Sequence, residues 1–222
     1  MVGNYGSGKT ELSIALARRL RKQTDGRVAL VDLDIVNPYF RSSEQKQLLE
    51  QEGIEVFMPS FAMSTVDIPA LPAQIYGVFQ QDFAHVVFDV GGDDTGATAL
   101  GPYAPYFANV RDDTQVLYVV NAFRPFSDSA DKIETLYRLI GEKSRLMVDG
   151  FISNGNLQEH TTAADLLQAH AVVEEASRRL NVPVMAVCGF SSLKEALPQD
   201  LQEIFFPLQP VMKPEWLVNL DE

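Results

Sequence analysis

Eight residues near the start of the chain carry the clearest chemistry. Gly3-Asn4-Tyr5-Gly6-Ser7-Gly8-Lys9-Thr10 fits the spacing G-x-x-x-x-G-K-[ST] in full. In that pattern the glycines let backbone N–H groups curl round a phosphate, the lysine reaches the β- and γ-phosphates, and the last hydroxyl binds Mg²⁺. All eight are therefore candidate nucleotide ligands, with Lys9 also stabilising charge at the reacting phosphate. A helix opening near Lys9 would add the pull of its N-terminal dipole on an anion.

Two groups of acids follow at chemically useful places. Asp32 and Asp34 close the run RVALVDLD, and alternation along a strand would turn both the same way. Two carboxylates side by side repel unless a cation lies between them, so of Asp32 and Asp34 one is a candidate Mg²⁺ ligand and the other a candidate for orienting the attacking water. A helix cap or a turn acid is the alternative for either. Asp89 ends HVVFDV and stands three residues before Gly92. An acid there suits the Mg²⁺ shell with Thr10, and a mobile glycine N–H suits the γ-phosphate. Asp93 and Asp94 read as loop acids or helix caps.

These residues need a frame that brings them to one edge. Short apolar runs at residues 27–33, 54–58, 85–90, 115–120, 145–153 and 183–187 alternate with helical patterns at 12–20, 43–52, 72–81, 129–140 and 161–180. Continuous apolar strands alternating with amphipathic helices indicate a doubly wound α/β fold with a mostly parallel sheet covered on both faces. Ligands of such sheets bind outside the carboxyl ends of the strands, where the acids lie. No repeat or Gly/Ser-rich linker divides the chain, so residues 1–222 read as one nucleotide-binding domain. Residues 57–72 and 205–214 read as ordered loops. Only Met1 and Val2 precede the phosphate loop. The expectation is a first strand cut short, by a start set too late or by a stunted element.

Composition removes several classes. With 18 basic and 30 acidic residues the net charge is −12, which weighs against nucleic-acid and anionic-lipid partners. One cysteine, Cys188, cannot form an intrachain disulfide or hold a zinc or iron–sulfur site alone, so a reducing, cytoplasmic setting is expected. No apolar run is long enough to span a bilayer. His85, His160 and His170 are scattered and read as ordinary polar residues.

The set GNYGSGKT, VDLDIVNPYFR and VFDVGGDDTG resembles the MinD/ParA/CobQ-like branch of P-loop NTPases, which also holds the nitrogenase iron protein and metallochaperone GTPases. VDLDIVNPYFRS looks like an uncharacterised bacterial nucleotide-binding group within it. The resemblance implies a mostly parallel sheet, Mg-nucleotide binding and often a nucleotide-controlled homodimer, and it places the water-orienting role on Asp34. The chain also departs from the pattern. ParA- and MinD-type loops carry an extra lysine that crosses the dimer, and here that position is Asn4. Arg41 is a candidate substitute cation. The end PEWLVNLDE is short and acidic where MinD has a basic amphipathic helix, and neither the paired cysteines of iron–sulfur carriers nor the Cys/His clusters of nickel chaperones are present.

The base is read from SNGNL, residues 153–157. Guanine readers use N-K-x-D, and counting from Asn154 the aspartate position is Leu157. Adenine-reading relatives place an asparagine at this strand end, which Asn154 matches, so ATP is favoured over GTP; stabilising a turn with Gly155 is the alternative. The loop at residues 189–192 is a further candidate to close over the base. Asn121 and Arg124 are candidate contacts to a partner subunit or a switch loop, or ordinary loop residues. The resulting expectation is a slow Mg-ATPase that acts as a switch or dimer on an unknown protein or metabolite partner. A small-molecule kinase or ATP-dependent ligase, a binding module without turnover, and a metallochaperone-type GTPase stand as alternatives.

Overall fold

The computed structural model describes residues 1–34, 43–58 and 73–209. Within them the chain alternates strand and helix: β1 (Val2–Gly3), α1 (Lys9–Gln23), β2 (Val28–Asp32), α2 (Ser43–Gln51), β3 (Ile54–Phe57), α3 (Ala73–Val78), β4 (His85–Asp89), α4 (Asp93–Leu100), α5 (Ala104–Asn109), β5 (Leu117–Val120), α6 (Ala130–Ser144), β6 (Gly150–Ser153), α7 (Ala163–Leu180), β7 (Val184–Gly189), α8 (Gln199–Glu203) and β8 (Phe205–Pro207). Arg41, most of the 57–72 segment and the acidic C-terminal stretch lie outside the described residues.

Every strand pairing is parallel, in a five-stranded part ordered β1-β5-β6-β7-β8 and a three-stranded part ordered β3-β2-β4. Met1 O accepts from Val90 N at 3.2 Å and Met1 N donates to Phe88 O at 2.7 Å, so β4 runs beside β1 and the two parts join edge to edge. The expected doubly wound, parallel α/β fold is what the chain adopts. β1 itself has two residues.

The strands are short and apolar because both faces are covered. Val28, Ala29, Leu30 and Val31 are all buried, and neighbouring residues of β5 enter different cores. Tyr118 and Val120 join Val31, Leu33, Tyr103, Ile133 and Phe151 on one side. Val119 joins Leu12, Ile152 and Cys188 on the other. Helices meet those faces with the expected spacing: α6 buries Ala130, Ile133, Leu136, Ile140 and Ser144. α7 starts on a capping box between Thr162 and Asp165. Aromatic rings pack beside α3 and α5, with Tyr103 against Tyr76 at 4.9 Å and Phe107 against Phe79 at 5.0 Å between ring centroids.

Two expectations change. The apolar run at 145–153 yields a strand only from Gly150, because Arg145 takes a left-handed cap (φ 59°) ending α6 and Asp149 turns to accept from Val116 N at 2.7 Å. Residues 205–207 form an edge strand rather than a loop. Proline is tolerated there because an edge N–H has no ladder partner to lose.

Tyr118 is fully buried in the main core and its hydroxyl has no partner among the described residues. Tyr118→Phe should therefore leave stability unchanged or raise it, by deleting an unpaired polar group. Tyr118→Ala should cost about 3–5 kcal/mol by opening a cavity. Urea denaturation checks both, and a large loss on Tyr118→Phe would mean that the hydroxyl is bonded.

Candidate functional site

The phosphate loop leaves β1 and enters α1 through Gly8, which caps the helix in a left-handed conformation (φ 90°) with no side-chain cap bond. The first N–H groups of α1 therefore stay available to an anion. Gly8 has no alternative: a Cβ there would lie 2.3 Å from Asn154 Nδ2. Lys9 is 7 % exposed, and its ammonium donates to Asn4 O at 2.8 Å across the loop it would serve.

Carboxylates converge from the other side. Asp32 and Asp89 are register partners at the ends of the adjacent strands β2 and β4. Asp32 Oδ1 accepts from Asp34 N at 2.8 Å, so Asp32 does serve a local turn, one of the two roles its position suggested. Asp34 lies over Gly91, where a Cβ would stand 3.1 Å from its Oδ1. Asp89 is 3 % exposed, takes a hydrogen bond from Thr10 and accepts from Ser13 Oγ at 3.3 Å. Burial pushes its carboxyl above the ordinary range, and the Thr10 bond and Lys9 oppose that rise. Gly92 then brings its backbone against the loop so closely that a Cβ would be 2.7 Å from Tyr5 Cα. The structure thus assembles Lys9, Thr10, Asp32, Asp34, Asp89 and Gly92 around residues 3–10, as their spacing implied.

Asn154 is 2 % exposed beneath the phosphate loop, where its Nδ2 donates to Ser7 O at 2.7 Å. Asn154 Oδ1, Ser7 Oγ and Ser153 Oγ are buried without a partner among the described residues. The asparagine thus braces the phosphate loop through its amide nitrogen and keeps its oxygen unengaged. Leu157, at the position an N-K-x-D motif gives to aspartate, is 41 % exposed. A small recess with room for about one water lies at the ends of β6 and β7, lined in part by Gly155, Asn156, Cys188, Gly189 and Phe190, so the start of the 189–192 loop borders it.

Sequence reasoning missed the struts around the loop. Asn4 is 8 % exposed, and its Nδ2 donates to Pro125 O at 2.6 Å and Ser127 Oγ at 3.2 Å. Asn121 Nδ2 donates to Asn156 O at 3.0 Å, joining the loops after β5 and β6. Asparagine after a strand was the available signal, but its partners are over a hundred residues away for Asn4. The histidines remain scattered, and Cys188 is 1 % exposed with its thiol pushed up by burial. Among the described residues, no three His, Cys, Asp or Glu side chains form a ready metal cluster. No described helix is long and apolar enough to cross a membrane.

No protein-family model matches the chain, and no curated protein does. Solved structures share its fold. FtsY of Thermotoga maritima superposes with a TM-score of 0.56 at 18 % identity, over 99 % of this chain and 66 % of that one. FtsY, the signal recognition particle receptor of Elizabethkingia anophelis, gives 0.55 at 22 % identity, over 90 % and 58 %. The signal recognition particle 54 kDa protein of Aeropyrum pernix K1, solved with GDP, gives 0.52 at 21 % identity, over 84 % and 39 %. The chain spans at most 66 % of the length of these proteins. The likeness shows the fold, a parallel α/β fold shared with these proteins, and within it residues 3–10 carry the phosphate-loop pattern.

Because the folded carboxyl of Asp89 titrates above its unfolded value, the folded state holds that proton more tightly. The group's contribution to stability therefore falls as pH rises through the interval between the two values and is unfavourable above it. Asp89→Asn should melt no lower than wild type at pH 7 and lose that part of the pH dependence; a marked drop in Tm would refute it. Asn154→Ala should cost about 1–3 kcal/mol in urea denaturation by leaving the buried Ser7 carbonyl unpaired.

Proposed function

We propose that residues 1–222 are one Mg-ATP-binding domain of the MinD/ParA/CobQ-like branch, a slow ATPase whose nucleotide state switches its action on a protein or metabolite partner. One observation carries the reading. The Thr10–Asp89 hydrogen bond, buried beside Lys9 and the uncapped start of α1, joins a phosphate loop to a hard oxygen donor pair. That pair fits Mg²⁺, which takes one or two carboxylates and completes its shell with phosphate oxygens and water. Thr10 and Asp89 would hold the ion, with Asp32 beside Asp89 on the next strand. Bound there, Mg²⁺ would neutralise charge on the β- and γ-phosphates.

The remaining steps belong to side chains and backbone. Lys9 would exchange Asn4 O for phosphate oxygens and stabilise the charge that develops on the β–γ bridge. Asp34, next to Gly91, would orient the attacking water, as the resemblance to VDxD proteins implies. Gly92 rests on Tyr5, so a γ-phosphate arriving or leaving beside Tyr5 would move the start of α4, which gives the switch its mechanical element. Asn4 is buried and bonded inward and does not extend across a dimer, so turnover would be slow. Adenine is favoured because Leu157 offers no carboxylate to the guanine N1–H and 2-amino group. Asn154 would bear on the nucleotide through Ser7.

Phosphate release measured with Mg-ATP alone should be slow and steady, lost in Lys9→Ala together with most nucleotide binding, and lost in Asp34→Ala with binding kept. Transfer only after a metabolite is added would instead make the protein a kinase or ligase. Tight binding with no turnover would make it a non-hydrolysing module. GTP outcompeting ATP in a thermal-shift titration would overturn the adenine preference.

A further inference from the structure

The connection between β5 and α6 is tied to the phosphate loop by side chains that the NTPase motifs do not include. Asn4 grips it on both sides of Phe126, through Pro125 O at 2.6 Å and Ser127 Oγ at 3.2 Å. Phe126 between them holds a left-handed backbone (φ 67°) while its side chain is 71 % exposed. Its own packing does not account for that strained conformation; the anchors on either side do. One further bond closes the arm onto the loop: Arg124 Nε donates to Gly6 O at 3.2 Å.

Six of the other described arginines, Arg18, Arg27, Arg111, Arg138, Arg178 and Arg179, are held by carboxylates, while Arg19 lies over the Phe206 ring and Arg21 donates to Thr24 O. No such pair forms at Arg124 among the described residues, although the chain carries 30 acidic side chains. Gly6 O engages one of the five guanidinium N–H groups, which leaves the terminal fork exposed at the rim of an anion-binding loop. A planar fork of charged donors suits phosphate oxygens better than any other ligand this acidic site would receive.

We propose that Arg124 contacts the bound nucleotide, donating its terminal N–H groups to polyphosphate oxygens, and that Asn4 is the positioning residue holding the arm. The inference rests on the nucleotide reading above. It also gives the loop a second cation in cis, from an element outside the phosphate-loop motif.

Isothermal titration with ATP, and with GTP in parallel, at low and at about 0.3 M salt would test this on wild type, Arg124→Ala, Arg124→Lys, Asn4→Ala and Asn4→Ala/Arg124→Ala. Losing one charge-assisted contact should weaken triphosphate affinity about tenfold at low salt, and the gap should narrow at high salt. Arg124→Lys should recover part of the loss, and the ligand-free Tm of Arg124→Ala should match wild type. Adding Asn4→Ala to Arg124→Ala should cost less than Asn4→Ala costs alone. Unchanged affinity in Arg124→Ala would overturn the contact, as would a salt-independent loss accompanied by a lower Tm. If wild type binds neither triphosphate, the nucleotide reading falls and takes this contact with it; if wild type binds and Arg124→Ala matches it, only the contact falls.

Discussion

A loop that turns its N–H groups inward toward a phosphate must turn carbonyl oxygens outward, and each of those needs a donor. Here the carbonyls of Asn4, Gly6, Ser7 and Gly8 are each met by something specific. Lys9 and the N–H of Ser7 take Asn4 O, Arg124 takes Gly6 O, and Asn154 takes Ser7 O, while Leu12 N closes the first helical turn on Gly8 O. These bonds hold the backbone open in a shape that does not collapse on itself when the inward side is empty of charge. They also explain why the ends of β5 and β6 must stand where they do, since those strands deliver the donors.

The opposite side of the loop is governed by charge. Strands covered on both faces tolerate acids only at their ends, and β2 and β4 end in Asp32 and Asp89 as direct neighbours. Asp32 relieves its charge on the turn to Asp34, whereas Asp89 is buried beside hydroxyl donors, Lys9 and the N-terminal ammonium, and burial still outweighs their support. Under the proposed function a divalent cation arriving with a nucleotide would relieve that cost, which would couple ligand binding to folding at Asp89.

What could be read from the sequence was local. Residues 3–10 form a contiguous pattern, the strand-end acids follow apolar runs, and parallel topology sends both to one edge, so the loop, the acids beside it and the fold class were all legible. The struts were not. Asn4 and Asn154 look like a variable position in a motif and part of a base-reading signature, and the groups they bond lie more than a hundred residues away in sequence. Nothing local shows that either asparagine braces a loop. The same limit hid β8, whose Phe205-Phe206-Pro207 becomes a strand only because β7 offers an edge, and cut β6 short because Asp149 found Arg111 and Val116.

Fold likeness at 18–22 % identity transmits the scaffold but no residue roles, so the division of labour must come from where side chains sit. The loop rises from β1, the strand at which the three-stranded and five-stranded parts of the sheet meet. Asp32, Asp34, Asp89 and Gly92, which the proposed function sets at the reacting phosphates, come from β2, β4 and their ends. The side chains that brace the loop from outside it, Arg124 and Asn154, follow β5 and β6. Two kinds of link cross this edge: the backbone bonds through Met1 with the close approach of Gly92 to Tyr5, and the hydrogen bonds that Asp89 takes from Thr10 and Ser13. Under the proposed function a change at the γ-phosphate would therefore act on the β4 side through Gly92 and Asp89, while the β5–β6 side, whose donors go to the loop's outer carbonyls, would keep its grip on the nucleotide.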